Sequence, residues 1–182
     1  MTARKVAVIA SASGNGKTTL GREIAQRLRV PFVELDALVH GPGWVETSDD
    51  DLRAQLEPIV RSDGWVIDGT YEHKLGDLVL GSADVVVWLD LPIRVWLPRL
   101  VRRTSRRLRG RERLWNGNSE SLKSAVWGRE SLFVWALRSH FRRRRELPLA
   151  LASRRVIRLR TSAEVERFLA DADTAAEGSE AR

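Results

Sequence analysis

Residues 6–10, Val-Ala-Val-Ile-Ala, run directly into residues 11–19, Ser-Ala-Ser-Gly-Asn-Gly-Lys-Thr-Thr, and the other elements take their places around this stretch. A phosphate-binding loop needs a buried strand, a turn whose amides point inward and a helix that begins beneath the phosphates, in this order. Gly14 and Gly16 allow left-handed backbone angles and let an anion approach the main chain. The stretch therefore predicts a phosphate loop, residues 11–19.

The residues predicted to bind a nucleotide are Ser13, Gly14, Asn15, Gly16, Lys17, Thr18 and Thr19. Lys17 is placed to reach the β- and γ-phosphates, and the Thr18 hydroxyl is placed to bind Mg²⁺, so the expected cofactors are ATP and Mg²⁺. Thr19 is expected to pack or cap in the first helical turn. Ser11 stands where the usual pattern has its first glycine, which weakens the loop without removing it. The alternative is a glycine-rich strand-to-helix connection that binds nothing.

The composition indicates one domain with a proper core. The chain has 182 residues, of which 43% are hydrophobic, and it contains no cysteine for a disulfide or a thiolate metal site. No apolar run approaches the ~20 residues of a membrane span, and we expect a cytoplasmic protein without a membrane partner. The net charge of +7 favours polyanionic partners, which include nucleotide phosphates, nucleic acid and acidic surfaces.

Apolar runs at residues 6–10, 32–36, 65–71, 83–91 and 155–160 predict five strands, and helical patterns alternate with them. Ligands in open α/β sheets bind beyond the carboxyl ends of strands, so Asp36 and Asp68 become site candidates. Asp36 either serves the site or caps the following turn. Asp68 ends an apolar strand, as a Walker B carboxylate does, and is the predicted metal ligand together with Thr18.

Residues 40–44 are expected to lie over the same end of the sheet, and residues 48–51 are expected to begin the next helix. Trp44 follows a turn-rich sequence and either closes a substrate pocket or covers the core. Ser48 precedes three aspartates, residues 49–51, which suit the positive end of a helix dipole. This acidic cluster is interpreted as a helix cap and not as a metal site.

Residues 94–145 predict a cationic helical hairpin between the fourth and fifth strands. The first helix carries an apolar stripe of Ile93, Leu97, Leu100, Val101 and Leu108, and arginines crowd its other faces. A turn at residues 110–119 leads to a second helix with Leu122, Val126, Trp127, Phe133, Trp135 and Leu137, which ends in the arginine block, residues 142–145. Three interpretations of the arginines are open. They form a lid over the phosphates during transfer, or a nucleic-acid-binding surface in which the tryptophans stack on bases, or a face exposed to solvent.

The chain resembles P-loop kinases of the adenylate kinase and shikimate kinase group, and most closely bacterial adenylate-kinase-like DNA topology modulation proteins. The resemblance rests on residues 13–18, 33–36, 42–44, 65–71, 102–104, 114–118 and the arginine block. It implies a parallel sheet of order 2-3-1-4-5, an acceptor-binding region at about residues 36–60 and an arginine-rich lid at about residues 99–120. It also implies that Asp36 lies near the acceptor and that Arg102 and Arg106 are lid arginines.

The predicted function is phosphoryl transfer from Mg-ATP to a small-molecule or nucleotide acceptor, with Lys17, Asp36, Arg102 and Arg106 as catalytic residues. Thr70 and Tyr71 replace the turn that adenylate kinases have after Asp-Gly, which argues against a nucleoside monophosphate acceptor. The alternative is a nucleotide-switched ATPase that binds nucleic acid through the arginine-rich hairpin. One kinase-like domain is expected over residues 1–172, followed by a frayed tail at residues 173–182.

Overall fold

A computed structural model describes the backbone of residues 3–110 and 132–180, and the side chains of residues 3–107 and 132–172. Much of the predicted hairpin is therefore not described. Three predicted parts lie outside the described residues. They are residues 111–119 of the predicted turn, the second half of the predicted lid, and the helix positions Leu122, Val126 and Trp127.

Five strands form one parallel sheet: β1 (Lys5–Ala10), β2 (Phe32–Glu34), β3 (Trp65–Asp68), β4 (Val85–Leu89) and β5 (Val156–Leu159). Their order is β2-β3-β1-β4-β5, which confirms the predicted topology. In the registers, Val8 of β1 lies opposite Asp68 of β3 on one side and Val87 of β4 on the other. The strand that leads into the phosphate loop is thus the central one.

The helices are α1 (Lys17–Leu28), α2 (Leu35–Val39), α3 (Asp49–Arg61), α4 (Glu72–Leu75), α5 (Leu78–Ser82), α6 (Ile93–Gly110), α7 (Leu132–Ala150) and α8 (Ser162–Glu180), with a 3₁₀ turn at Pro42–Trp44. The Ser48 hydroxyl accepts a hydrogen bond from the Asp51 amide at 3.1 Å, as the predicted cap requires. Two boundaries differ from the sequence prediction. β2 ends at Glu34, so Asp36 lies in α2, and α8 continues well beyond Leu169.

Helices cover both faces of the sheet, because alternate side chains of a strand point to opposite faces. On one face Ala7, Ile9 and Ile67 pack with Leu52 and Leu56 of α3. The other face carries Val6, Val8 and Val87, which pack with Leu20 and Ile24 of α1. The result is a three-layer α/β architecture with the phosphate loop at one end of its middle layer.

Helices α6 and α7 meet in a third apolar cluster that includes Ala12 of the phosphate loop, Trp96, Leu100 and Ala136. One sequence expectation for these helices is wrong, because Val101, on the predicted apolar stripe of the first helix, is 44% exposed. In the second helix Trp135 is 48% exposed and lies outside the core. Helix α7 buries Ala136, Ser139 and His140, so Trp135 lies about 100° around the helix from the buried face. Among the described helices, none is both long and apolar enough to cross a membrane.

Candidate functional site

The phosphate loop has the backbone that its two glycines predicted. Gly14 and Gly16 have φ angles of 84° and 93°, which other residues rarely adopt. A Cβ on Gly14 would lie 2.8 Å from the Trp96 carbonyl oxygen and 2.9 Å from the Leu100 Cβ. Gly14 is therefore required both for the turn and for the close packing of α6 against the loop. Helix α1 begins at Lys17, so its free amides face the space enclosed by the loop.

Lys17, Thr18 and Asp68 meet beneath this loop. The Lys17 Nζ donates to Asp68 Oδ1, and the Thr18 hydroxyl donates to Asp68 Oδ2 at 2.6 Å. Asp68 is buried, with a side chain that is 1% exposed, so both of its oxygens need partners. The contact exists because β3 and β1 are neighbours and end at the same edge of the sheet. Residues 51 positions apart in sequence thus form the group expected for Mg-ATP binding.

Glu34 is a further carboxylate at this place, and sequence reasoning did not single it out. It ends β2 opposite Asp68, and its Oε1 lies 3.4 Å from the Thr18 hydroxyl. The sequence prediction ended this strand at Asp36, which left Glu34 inside it and hid its position at the strand end. Among the described residues, no group of three or more acidic, histidine or cysteine side chains forms a metal cage. The oxygens present suit Mg²⁺, which usually takes one or two carboxylates and completes its shell with phosphates and water.

The serine that replaces the first glycine of the loop has a structural role. Ser11 is buried, and its hydroxyl donates to Asp90 Oδ1 at 2.7 Å and accepts from the Trp88 Nε1 at 2.9 Å. Asn15 is held similarly, since its amide donates to the Ala12 carbonyl and its Oδ1 accepts from the Leu91 amide. Both side chains fix the loop to the end of β4. The Asn15 side chain is thereby occupied, and a nucleotide would meet its main chain.

Asp90 forms a buried ionic centre behind the loop. Its fully buried carboxylate accepts from the Arg158 Nε and Nη2 at 3.0 and 2.6 Å and lies 3.1 Å from the Arg144 Nε. The Arg158 guanidinium also lies 4.0 Å from the Trp88 ring centroid, a cation–π distance. The adjacent Arg143 donates to the Ala10 carbonyl at 2.8 Å. Two members of the arginine block therefore bind the ends of β1 and β4, so the solvated-face interpretation fails for them.

A cleft of about 1230 Å³ extends from the phosphate loop past Glu34 and Asp36 to α6 and α8. Its cationic wall consists of Arg99, Arg103 and Arg107, which share one face of α6 because they are four residues apart. The Arg103 Nη2 donates to the Ser13 hydroxyl at 2.9 Å, which ties α6 to the loop. Arg102 and Arg106 are exposed and do not line the cleft, so the structure does not bring the two predicted lid arginines to the site.

Asp36 lies in α2 at the other end of this cleft, where Tyr71 contacts it. The Tyr71 hydroxyl donates to Asp36 Oδ1 at 2.6 Å and lies 3.4 Å from the His40 Nε2. Burial, and next the neighbouring Asp36 carboxylate, raise the pKa of Tyr71 above its usual value, so this hydroxyl stays a donor. Trp44 is 43% exposed and meets the His40 ring edge-on at 5.5 Å. Of the two interpretations of Trp44, the structure favours a position beside the site over one in the core.

Arg143 also belongs to this end of the site, and the sequence did not separate it from its neighbours. Burial lowers the pKa of its guanidinium, Arg142 lowers it further, and Glu72, Asp36 and Tyr71 act in the opposite direction. A largely buried cation thus lies within electrostatic range of the Asp36 carboxylate. The surroundings of Asp36 therefore include a phenol, an imidazole and, at longer range, a guanidinium.

Comparison with known proteins points to kinases. The family model described as "Shikimate kinase" matches residues 13–41, which include residues 13–19 of the phosphate loop and Asp36. A shikimate kinase of Brucella canis is 28% identical over 121 residues, which cover 57% of this chain and 59% of that protein. The chain thus spans less than two thirds of the length of this curated relative. The match supports the interpretation as an adenylate kinase- or shikimate kinase-like P-loop protein.

Solved structures extend the likeness in fold to nearly the whole chain. A shikimate kinase from Bacteroides thetaiotaomicron has a TM-score of 0.55 at 15% identity, covering 97% of this chain and 99% of that one. A gluconokinase from Sinorhizobium meliloti 1021 has a TM-score of 0.50 at 22% identity, covering 97% and 95%. The sheet order and these likenesses confirm the predicted fold class. The chain has the three-layer α/β fold of P-loop kinases, with its candidate site beyond the carboxyl ends of the central strands.

Proposed function

We propose that this protein transfers the γ-phosphoryl group of Mg-ATP to a hydroxyl group of a small-molecule acceptor. The observation that carries the proposal is the convergence of Lys17, Thr18 and Asp68 beneath the phosphate loop. Asp36 lines the same cleft as Lys17 and Thr18. These residue types at the end of a phosphate loop are those that phosphoryl transfer uses, which supports the proposal. The similarity to shikimate kinase over residues 13–41 covers residues 13–19 of the loop and Asp36 and supports the same reaction class.

The part of the site around Lys17 and Asp68 would work by an exchange of partners. Lys17 forms an ion pair with the buried Asp68 carboxylate. On ATP binding, Lys17 would turn to the β- and γ-phosphates, and Asp68 with Thr18 would hold Mg²⁺, aided by Glu34. Bound Mg²⁺ supplies charge neutralisation on the phosphate oxygens. The exchange leaves no buried charge without a partner in either state, which makes it energetically feasible.

The acceptor end supplies a base and an anchor. Asp36 would accept the proton of the acceptor hydroxyl. At the same time the oxygen of that hydroxyl would form a bond to the γ-phosphorus, and the bond from the γ-phosphorus to the ADP oxygen would break. Arg143, already held by the Ala10 carbonyl, would hold a polar group of the acceptor through its remaining N–H groups. The acceptor itself is proposed by class only, a small molecule with a free hydroxyl.

Cations of α6 would stabilise the charge on the moving phosphoryl group. Arg99, Arg103 and Arg107 line the cleft, and Arg103 is anchored on the phosphate loop through Ser13. Preorganised donors of this kind act most strongly where charge develops in the transition state. We therefore assign the predicted lid role to this face of α6, and a role of Arg102 or Arg106 stays a prediction.

The nucleic-acid-binding alternative keeps one supporting observation. Trp135 and Arg138 are exposed on α7, and Phe141 is 54% exposed on the same helix. Against it, Arg143 donates to the Ala10 carbonyl and Arg144 pairs with the buried Asp90 carboxylate, so both already have partners at the strand ends. A titration with single- and double-stranded polynucleotide at two salt concentrations tests it, since phosphate contacts make affinity fall steeply with salt.

The test of the proposed function is an ADP-release screen with Mg-ATP across nucleoside monophosphates, nucleosides, sugars and small hydroxy acids. The wild type should release ADP in response to one acceptor class, and Lys17→Ala should not. Arg61→Ala, which removes a surface cation at the end of α3, is the matched control and should behave as the wild type. ADP release that is equal with and without every acceptor would contradict a kinase.

A further inference from the structure

We propose that Tyr71 is a positioning residue that orients the Asp36 carboxylate toward the acceptor hydroxyl. The inference rests on the proposed function, because it gives Tyr71 a task in the same transfer. Tyr71 donates to Asp36 Oδ1 at 2.6 Å, a distance typical of a strong hydrogen bond to a charged oxygen. The bond fixes the rotation of the carboxylate and leaves Oδ2 to accept the proton of the acceptor.

The backbone at Tyr71 is held in an unfavourable conformation. Its φ and ψ are 45° and 46°, the left-handed region, which is unusual for a bulky residue. Such strain persists only where the surrounding structure enforces it, and it is concentrated at functional sites. Tyr71 follows Asp68 by three residues, so β3 ends at the proposed metal ligand and the turn after it brings Tyr71 to Asp36.

A second strained residue lies in the same cluster. Within residues 3–110 and 132–180, the non-glycine residues with positive φ are Arg29, Trp44 and Tyr71. Two of these three are joined through His40, whose ring meets that of Trp44 at 5.5 Å and that of Tyr71 at 6.5 Å. The His40 Nε2 also lies 3.4 Å from the Tyr71 hydroxyl. The loop after α2 and the turn after β3 are thus locked together around the Asp36 carboxylate.

The hydrogen bond alone would also suit a purely structural role, in which Tyr71 only satisfies a half-buried carboxylate. The two roles differ in what they predict for kinetics. A structural bond affects the stability of the fold, whereas a positioning bond affects kcat and leaves the binding of ATP and acceptor nearly unchanged. Orientation errors of this kind are costly because the reacting groups must be closely aligned for transfer.

The experiment uses the full chain and Tyr71→Phe, which keeps the ring and removes the hydroxyl. With the acceptor found in the screen, kcat should fall about 10- to 100-fold, while KM for ATP and for the acceptor stay within about twofold of the wild type. The double variant with Asp36→Asn should be no slower than Asp36→Asn alone, because the hydroxyl acts through that carboxylate. Thr70→Val removes a neighbouring hydroxyl that faces Glu72 and should leave kcat unchanged.

The outcomes separate this inference from the proposed function. Wild-type transfer with an unchanged kcat in Tyr71→Phe would overturn the role of Tyr71 and leave the kinase proposal standing. Absence of acceptor-dependent transfer in the wild type would overturn both. A second variant, His40→Gln, keeps the Tyr71–Asp36 bond and should lose less kcat than Tyr71→Phe. The reverse order would overturn the assignment to Tyr71.

Discussion

Replacing Asp90 by alanine should destabilise the fold and weaken the phosphate loop at the same time. The carboxylate is fully buried and binds Ser11, Arg144 and Arg158. Removing one partner of a buried ion pair costs about 3–5 kcal/mol. The Arg144 and Arg158 side chains are 43% and 27% exposed and can turn partly to water, so the lower end applies. We expect a loss of about 3 kcal/mol in the free energy of unfolding.

For a chain of this size, 1 kcal/mol corresponds to about 2–4 °C in Tm, so Asp90→Ala should lower Tm by roughly 6–12 °C. Calorimetric melting gives this shift, and a titration with Mg-ATP in the cold gives the effect on the loop. Ser11→Ala should weaken Mg-ATP binding in the same direction and should be less than additive with Asp90→Ala, because the two residues share one hydrogen bond.

The control for this prediction is Asp63→Ala, which removes an exposed carboxylate in the turn after α3. Exposed substitutions of this kind usually change stability by less than about 0.5 kcal/mol. An Asp90→Ala protein that melts within about 2 °C of the wild type would refute the buried ionic centre. Full additivity of Ser11→Ala and Asp90→Ala would refute its coupling to the phosphate loop.

The remaining predictions concern the metal, the cationic wall and pH. Asp68→Asn should weaken Mg-ATP binding about 10- to 100-fold, as expected for a lost charge-assisted contact. It should weaken the binding of ATP in EDTA much less. Equal losses of affinity in the two titrations would contradict a metal role. Arg103→Ala should lower kcat about 100-fold, whereas the kcat of Arg102→Ala should stay near that of the wild type. Steady-state kinetics of both variants test this. Equal losses of kcat would support Arg102 as a lid arginine, as the sequence predicted. Burial, and next Arg144, lower the pKa of His140 below its usual 6.5. The unfolded chain therefore binds the proton first as pH falls, so stability should decrease below about pH 6.5. Tm measured at pH 7.5 and 5.5 should fall less in His140→Gln than in the wild type, and an equal fall would contradict a buried neutral His140.

The sequence predicted the phosphate loop and the strand that ends at Asp68, because each depends on local pattern. An apolar run that ends in aspartate identifies a strand and its functional end, as at Asp68, wherever the strand is placed in the sheet. The helix cap at Ser48 followed from the same kind of local signal. The resemblance supplied the strand order, which local pattern does not encode.

The contacts that the sequence missed join distant residues. Ser11 and Asp90 are 79 positions apart, and no local pattern indicates that a serine in the loop has a carboxylate partner. Likewise, four consecutive arginines give no sign that Arg143 and Arg144 bind strand ends, since this depends on how α7 packs against the sheet. The choice between the Arg102 and Arg103 faces of α6 depends in the same way on docking. The closer resemblance to DNA topology modulation proteins and the cytoplasmic location stay predictions.

In the proposed reaction, a phosphoryl group moves from Mg-ATP to a small acceptor at the Lys17 and Asp68 site. Mass spectrometry of the reaction mixture detects this transfer by comparing the amounts of phosphorylated acceptor and ADP in the wild type and in Lys17→Ala. The wild type should form one phosphorylated acceptor for each ADP, and Lys17→Ala should form neither above background. ADP formed together with free inorganic phosphate and unmodified acceptor, or equal turnover in Lys17→Ala, would contradict the claim.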